Sequence, residues 1–299
     1  MMQPEGRLSD ADVAHRLRGI GLICLAVLCF TFIDVPAKYA SNYVSTLEVA
    51  WARYTLALVF SVIVLRPWRH RRQYVTHRPW MQGVRAVFLL ASTVLNFVAI
   101  HYLPLAQTVS ITFAAPLLVT AFAGPLLGEW AGPRRWAAVI VGFVGVLIIM
   151  QPQPGAFHPA ALLSLGAAFC YAGYYLTTRT LSATDSTAGM LIYGTLLGAI
   201  VLTPALLVVG ERPPTLTVAF ALALCGLAGG IGHWFLILAT RYAPAPVLAP
   251  FTYTQIVWMI AAGYAFFGDV PTATTLVGAV VVISSGLYVL YRERVHRDR

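Results

Sequence analysis

The sequence predicts an all-α membrane protein: ten transmembrane helices arranged as two inverted five-helix repeats, with both termini cytoplasmic. Three observations lead to this class. Hydrophobic residues make up 59% of the chain and charged residues only 10%, whereas a soluble domain carries about 25% charged residues. The apolar residues are gathered into segments long enough to cross a bilayer. The second half of the chain also repeats the first at a nearly constant offset, which is typical of membrane proteins with internal symmetry.

Ten segments are apolar over roughly the 20 residues that a spanning helix needs. They are 19–39, 46–65, 80–101, 105–127, 134–151, 158–178, 187–209, 218–240, 246–267 and 272–291. The ninth is the least regular, because Pro244, Pro246 and Pro250 crowd its start and proline is best tolerated near the beginning of a helix. The polar stretch 1–18 leads into an apolar run without a small-residue cleavage site, so the first segment is predicted to be a retained helix.

Lysine and arginine set the predicted orientation, because cytoplasmic loops carry the excess of both residues. With the amino terminus inside, sixteen of the 20 Lys and Arg residues fall on the cytoplasmic side, five of them in loop 66–78. The opposite side keeps Lys38 and Arg212, while Arg53 and Arg85 lie inside segments. This asymmetry supports ten spans and places the tails 1–18 and 292–299 in the cytoplasm. The net charge of +9 therefore reflects membrane topology rather than nucleic-acid binding.

The repeat is visible as matched pairs of residues. At an offset of 140 they are Tyr102 and Tyr242, Pro104 and Pro244, Thr112 and Thr252, Gly128 and Gly268, and Glu129 and Asp269. At an offset of 141 they are Cys29 and Cys170, Phe30 and Tyr171, Lys38 and Arg179, and Ser45-Thr46 and Ser186-Thr187. The predicted repeats are 19–151 and 152–291. Five helices is an odd number, so the second repeat is inverted, and in such proteins the ligand site lies near the midplane between the halves.

The end of each half resembles the end of an EamA repeat: a loop-entry tyrosine, a proline-containing helix ending in Gly-Glu, and a final helix bearing glycines. The first half matches at Tyr102, Pro116, Gly128, Glu129, Gly142 and Gly145; the second matches at Tyr242, Gly268, Gly278 and Gly286. The second copy departs from the pattern with Ile256 in place of the proline and Asp269 in place of the glutamate. Arg53 is also family-like, and the resemblance covers nearly the whole chain.

This resemblance implies a member of the drug/metabolite transporter superfamily, most similar to its aromatic amino acid exporter branch. A drug carrier or a nucleotide-sugar carrier of the same superfamily is the alternative. An integral-membrane enzyme is the alternative from another class, and it should show clustered titratable groups in the spans.

Catalytic and energy-coupling motifs are missing from the sequence. The one lysine, Lys38, follows no glycine pattern, so a phosphate-binding P-loop is excluded. The HExxH and GxSxG signatures are absent as well. The four cysteines lie in apolar segments without a CxxC pair, which argues against a zinc site or a disulfide framework. We therefore predict neither an enzyme nor a cofactor or metal site, and transport driven by gradients remains.

Few charged residues fall inside the predicted spans, and such residues are functional candidates by default. Asp34 and Lys38 have the spacing of a helical ion pair, which is either structural or a gate or coupling-ion site. Arg53 follows Glu48 and is interpreted as a structural ion pair or a carbonyl clamp. Arg85 lies beside the basic loop and is predicted to extend to the cytoplasmic surface.

His233 is the histidine placed well inside a span. Gly226, Gly230 and His233 recur at helical spacing, which favours close helix packing around a hydrogen-bonded histidine. The alternative is a histidine that lines a central cavity together with Trp234. If transport is coupled to protons, Asp34 and His233 are the candidate carriers; otherwise the protein is a facilitator.

Stripes of aromatic, hydroxyl and amide residues predict the cavity walls. The predicted substrate-binding residues are Asn96, Thr108, Thr112, Tyr171, Tyr175, His233, Trp234, Tyr253 and Gln255, and the predicted gating or coupling residues are Asp34, Lys38 and His233. Segments one, three, four, six, eight and nine are expected to wall the cavity, and the others to act as scaffold. Rings with a few polar groups suit an amphipathic ligand, although packing or an interfacial belt gives similar stripes.

Together these observations predict a multi-pass protein of the cell inner membrane that exports small amphipathic metabolites by alternating access. Amino acids with large apolar or aromatic side chains are the expected substrates. The expected partners are the small-molecule substrate and the lipid bilayer, without nucleic acid, and a monomer is the expected state.

Overall fold

In the computed structural model, residues 10–69, 71–127, 132–151, 157–182, 184–210, 212–242 and 251–297 are described, and they contain helices and no strands. The helices are α1 Asp10–Ala40, α2 Thr46–Leu65, α3 Pro79–Tyr102, α4 Leu105–Thr112, α5 Ala115–Leu127, α6 Pro133–Met150, α7 Ala160–Leu181, α8 Thr187–Val209, α9 Leu216–Tyr242, α10 Gln255–Ala262 and α11 Ala273–Arg297. A short 3-10 helix, Arg71–Tyr74, lies between α2 and α3, and a π turn, Gly263–Phe267, follows α10.

The all-α prediction is confirmed for these residues. Six helices, namely α1, α2, α3, α7, α8 and α9, are long and apolar enough to cross a membrane, and four shorter apolar stretches accompany them. The helix starts also follow the predicted repeat. Ser45 caps α2 by accepting a hydrogen bond from the backbone of Leu47, and Ser186 caps α8 by accepting one from Gly189. A serine that satisfies a free N–H in this way fixes where a helix begins.

Two predicted spans are broken, and the sequence predicted an irregularity only for the ninth. The span 105–127 divides at Phe113–Ala114 into α4 and α5, and the described part of the ninth span divides at Tyr253–Thr254. Phe113 and Tyr253 are 140 positions apart, the offset of the repeat, and their rings meet edge to face at 5.0 Å. Pro116 disfavours helical geometry just before it, but Ile256 cannot act in that way. The shared position of the breaks therefore belongs to the repeat rather than to one proline.

Helices of the two halves pack against each other in pairs. α1 lies along α9, α3 along α7, α6 along α11, and α2 against both α8 and α9. Glycines allow the closest of these approaches. A Cβ on Gly278 would lie 2.7 Å from the carbonyl oxygen of Gly145, and one on Gly226 would lie 2.5 Å from the Cβ of Leu56. The expected packing role of Gly226 and Gly230 is seen in the contact with α2, because Gly230 meets the ring of Phe60. The predicted match at Gly128 and Glu129 lies outside the described residues, as do Pro246 and Pro250.

Candidate functional site

A buried arginine in α2 is the centre of the polar contacts between the halves. The guanidinium of Arg53 donates one hydrogen bond to the hydroxyl of Thr93 and another, of 3.1 Å, to Nε2 of His233. Arg53 is 6% exposed and His233 is 7% exposed. Because a guanidinium can only donate, Nε2 of His233 acts as the acceptor and the imidazole is neutral, with its proton on Nδ1. The geometry therefore fixes the tautomer of a histidine inside the membrane-spanning region.

Neighbouring side chains extend this network along α3. The hydroxyls of Tyr54 and Thr93 lie 2.9 Å apart, and Thr93 donates to the carbonyl of Leu89 at 2.9 Å. One turn beyond Thr93, Asn96 donates to Oδ1 of Asp34 at 3.0 Å. Helices α1, α2, α3 and α9 thus meet through hydrogen bonds in a region that is otherwise apolar. Such bonds are scarce in a hydrocarbon environment, so they make this point the candidate site.

Aromatic rings surround the imidazole. His233 lies 5.1 Å from the ring of Phe30 and 6.0 Å, edge to face, from the ring of Tyr174. Tyr171 packs on Tyr174 with a centroid distance of 5.7 Å. The guanidinium of Arg53 lies over the ring of Tyr54 at 4.9 Å. These rings offer flat apolar surfaces next to hydrogen-bonding groups, which is the usual composition of a small-molecule site.

Arg85 does not extend to the surface, and that prediction is wrong. Its side chain is 1% exposed. It donates to Thr178 at 2.9 Å, to Gln82 at 3.2 Å and to the carbonyl of Met190 at 2.9 Å. The guanidinium also lies 5.0 Å from the ring centroid of Tyr174. A polar environment supplied by α7 and α8 holds the cation inside, so it has no need to reach water.

A small cavity of ≈ 20 Å³ separates the two arginines, with Arg53, Tyr54, Arg85, Tyr174, Gly194 and His233 among its lining residues. This volume holds about one water-sized group. The walls come from α2, α3, α7, α8 and α9. Helices α2 and α8 are the second and seventh predicted spans, which we expected to be scaffold, so that division of roles is wrong for both. The sequence did not indicate that α2 and α8 line the cavity, because both helices carry few polar stripes, although α2 supplies Arg53.

Lys38 and Asp34 do not pair with each other, contrary to prediction. Nζ of Lys38 donates to the carbonyl of Leu103 at 2.7 Å and to Oδ2 of Asp269 at 3.4 Å. Leu103 ends α3 in an extended conformation, so its carbonyl is available for a long side chain. Asp34 instead bonds Asn96. The spacing of four residues predicted a local pair, but a partner from the other half of the chain competes successfully for the ammonium.

The Lys38–Asp269 ion pair gives a testable prediction. It joins the ends of α1 and α3 to the turn after α10, so its loss should loosen this end of the molecule. We expect Lys38→Met and Asp269→Asn each to speed deuterium exchange several-fold in residues 41–45 and 268–272, because opening there becomes easier. Arg212→Met is the control, since Arg212 is an exposed loop cation outside this contact. Unchanged exchange in both variants would contradict a linking role.

The other predicted site residues are placed in different surroundings. Asn96, Tyr171 and His233 belong to the central network, whereas the hydroxyls of Thr108 and Thr112 donate back to carbonyls of α4 and its cap. Trp234 packs in a second apolar cluster around Leu236 and Ile237. Three further residues complete the predicted set: Tyr175 and Gln255 are half-buried, and Tyr253 is buried against Phe113. The predicted site residues did not include Arg53, which was interpreted as structural, or Tyr54, Arg85, Thr93 and Tyr174. The rarity of arginine inside spans was the signal that could have identified the site. Thr93 and Tyr54 contact Arg53, and Tyr174 contacts Arg85.

Asp185 connects the network to the loop between α7 and α8. It accepts hydrogen bonds from Gln82 at 2.7 Å and from Thr184 at 3.1 Å. Burial by itself raises the pKa of Asp185, but hydrogen bonds from Thr76, Gln82, Thr184 and the backbone of His77 outweigh it, and the pKa lies below its ordinary value. Gln82 in turn accepts from Arg85. A carboxylate near the surface is therefore linked through one amide to the cavity.

This lowered pKa predicts how stability depends on pH. A carboxyl group whose pKa falls on folding stabilises the folded state above its unfolded pKa of about 3.9, and this contribution disappears as the pH falls through the lower folded value. We expect the thermal stability of the wild type to drop more steeply below about pH 4 than that of Asp185→Asn, which cannot titrate. The measurement is thermal unfolding in detergent from pH 3 to pH 7. Parallel curves for the two proteins would show that Asp185 does not stabilise the fold in this way.

A bundle of long apolar helices that encloses a polar, aromatic centre between its halves is the architecture of a membrane carrier. Comparison with known proteins agrees. The profile of the EamA-like transporter family matches residues 17–151 and 158–291, and the chain belongs to this family. It is therefore a multi-pass membrane protein.

Relatives whose names state a transported compound align with almost the whole chain. A riboflavin transporter from Vibrio cholerae is 29% identical and aligns over 92% of this chain and 93% of its own length. An S-adenosylmethionine uptake transporter from Rickettsia conorii is 28% identical over 95% of this chain and 96% of its own. A pseudopaline exporter, CntI, from Pseudomonas aeruginosa is 26% identical over 89% of this chain and 93% of its own. None of these three is named as an amino acid exporter, so the expected branch is not supported.

One solved structure, described only as "Crystal structure of protein", superposes with a TM-score of 0.67. It is 15% identical and covers 93% of this chain and 98% of its own. At this identity the match supports the fold alone.

Proposed function

We propose that this protein is an alternating-access carrier of small metabolites that contain a planar aromatic ring, with the substrate held at the Arg53–His233 network. The observation that carries the proposal is this network itself: a buried cation and a neutral imidazole, edged by Tyr174 and Tyr171, where the halves meet. Flat rings bind planar groups by stacking or edge contacts. The donors around them fix the polar part of the ligand.

The proposed topology has ten spans in a bacterial inner membrane, with both termini cytoplasmic and inverted repeats at 19–151 and 152–291. Contacts between loops agree with it. Lys38, Leu103 and Asp269 all lie at predicted outer ends and are in contact. On the predicted cytoplasmic side, Ser186 donates to the carbonyl of Gln73, and Tyr193 to that of Tyr74 at 2.8 Å. Each contact thus joins elements that the proposed topology puts on the same face.

Two kinds of metabolite with a planar ring fit the proposed site. The first is an aromatic amino acid, as the polar and aromatic stripes of the sequence suggest. The second follows from the relatives, since riboflavin and S-adenosylmethionine each contain a planar nitrogen heterocycle. The central rings and the Arg53 donors are compatible with both.

Flux into liposomes that contain the purified protein tests this proposal. Labelled riboflavin, S-adenosylmethionine, tryptophan and phenylalanine are offered one at a time, with empty liposomes as the reference. We expect at least one of them to enter faster than it enters empty liposomes. If none does, the proposed substrate class is wrong. Running each with and without a pH gradient tests Asp34 and His233 as proton carriers, and flux that ignores the gradient removes that role.

A pair of variants links the flux to the central rings. Tyr171→Ala should lower flux roughly tenfold, because losing a ring contact costs about 1 kcal/mol or more, while Tyr171→Phe should keep most of it. Phe220→Ala in α9 is the matched control, since Phe220 is 66% exposed on the outside of the bundle. Equal flux for Tyr171→Ala and Phe220→Ala would place Tyr171 outside the substrate site.

A further inference from the structure

The cavity between the arginines contains an unusual distribution of charge. Arg53 and Arg85 both line it, and both are more than nine-tenths buried. Their hydrogen-bond partners are neutral: Thr93 and His233 for Arg53, and Thr178, Gln82 and the Met190 carbonyl for Arg85. Two permanent positive charges therefore face one small space.

Carboxylates of the described residues do not neutralise these charges by direct pairing. The ion pair within 4.0 Å that they form is Lys38 with Asp269, and it involves neither arginine. Asp34 is close enough to interact with Arg53 electrostatically, but its Oδ1 accepts from Asn96. Asp185 reaches Arg85 only through the amide of Gln82. Buried charges in proteins are normally paired, because an uncompensated charge in a low-dielectric interior is costly.

The same cavity also has more donors than acceptors. Nε of Arg53 and Nδ1 of His233 are buried and have no hydrogen-bond partner among the described residues. Both carry a hydrogen, since the guanidinium is always protonated and Nε2 of His233 is the acceptor in the bond to Arg53. Leaving a buried donor unsatisfied costs about 1–3 kcal/mol. An acceptor that reached this space would satisfy both donors, and the two neighbouring cations favour one with negative charge.

We propose that this cavity marks the place where the carboxylate of a transported acid is held once the surrounding helices part to admit it, and that Arg53 and Arg85 select acids over their neutral analogues. Riboflavin, which has no carboxylate, would then be a poorer substrate than tryptophan or phenylalanine. This inference rests on the proposed carrier function, which it makes more specific. A carboxylate accepts several hydrogen bonds in a plane and matches the fork of a guanidinium. It would satisfy the two free donors and balance the second cation. The ring of Tyr174, which contacts both Arg85 and His233, would lie beside the apolar part of the substrate.

Benzoate and benzamide test this inference independently of flux. They have the same ring and differ in the charged group. The purified protein in nanodiscs is titrated with each while its thermal unfolding is followed, at constant ionic strength kept with sodium chloride. A ligand that binds the folded state raises the unfolding temperature with its concentration. We expect benzoate to reach half of its effect at a concentration roughly tenfold lower than benzamide, because charge-assisted hydrogen bonds are about twice as strong as neutral ones.

Variants then locate the binding. Arg53→Gln and Arg85→Gln should each remove the preference for benzoate, whereas Arg212→Gln, at an exposed loop position, should keep it. If a variant does not fold, the comparison of benzoate with benzamide on the wild-type protein still tests the carboxylate site. Equal effects of benzoate and benzamide, or no effect of either, would overturn the carboxylate site even if the liposomes show flux. Conversely, the protein could prefer benzoate and yet transport none of the ring-bearing metabolites. That result would support the anion site and contradict the proposed substrate class.

Discussion

Gly278→Ala is expected to destabilise the protein by about 1–3 kcal/mol, the usual cost of an added methyl group in a fully packed contact. The new Cβ would lie 2.7 Å from the carbonyl oxygen of Gly145 and 2.4 Å from a side-chain carbon of Ile149. The Ile149 side chain can rotate, but the carbonyl belongs to the backbone of α6 and cannot move without shifting the helix. The contact between α6 and α11 should therefore open. We expect a lower unfolding temperature in detergent.

Gly21→Ala is the matched control for this substitution. Gly21 also lies within a helix, α1, but a Cβ there would meet nothing within 4 Å. Alanine favours helix over glycine by up to about 1 kcal/mol, so this variant should be as stable as the wild type or slightly more so. If Gly278→Ala and Gly21→Ala unfold at the same temperature, the close approach of α6 and α11 does not contribute to stability.

Arg53→Met is expected to abolish transport while leaving the protein folded. Under the proposed function the substrate loses its hydrogen bonds to a charged donor, each of which contributes about 1.5–3 kcal/mol, so flux should fall roughly 100-fold. The fold should tolerate the change, because methionine fills much of the same volume and removes a buried charge that no carboxylate pairs within 4.0 Å. Replacing buried charges by apolar residues is often neutral or stabilising. Loss of activity and retention of stability are thus predicted together.

Thermal unfolding and liposome flux, measured on the same preparation, check both parts of this prediction. Arg53→Lys serves as the comparison, since it keeps the charge but loses the planar fork, and it should retain an intermediate flux. Wild-type flux in Arg53→Met would show that the network is not the transport site. A strong loss of stability without a specific loss of flux would make Arg53 a structural residue, which is the role first suggested by its position after Glu48.

Features that depend on local periodicity could be predicted from the sequence. Apolar length placed the helices, and the matched serines 45 and 186 do begin α2 and α8. The helix break at Phe113 escaped prediction, whereas the ninth span, which contains Tyr253, was expected to be irregular near its start. No residue type marks both, and the geometry is set by contacts between halves.

The site was harder to predict because its polar contacts are made across long sequence distances. Asp34 and Lys38 have suitable helical spacing, yet each bonds a partner on another helix. Arg85 was assigned to the surface by its nearness to a basic loop, whereas α7 and α8 enclose it. His233 was identified since histidine is rare inside spans. Its partner Arg53 is 180 positions away, and spacing alone carries no information at that distance.

The long separation of these partners has a consequence for biosynthesis. Arg85 bonds residues that are synthesised 93 and 105 positions later, and Arg53 bonds His233 180 positions later. While α1 to α6 are emerging, both arginines lie in the bilayer without these partners, and an arginine at a helix centre raises the cost of insertion by about 2.5–3.5 kcal/mol. The amino-terminal half is thus an incomplete assembly until α7, α8 and α9 arrive. Truncation after residue 151 should yield a short-lived polypeptide that cellular proteases remove, and supplying residues 152–299 as a separate chain should prolong its life.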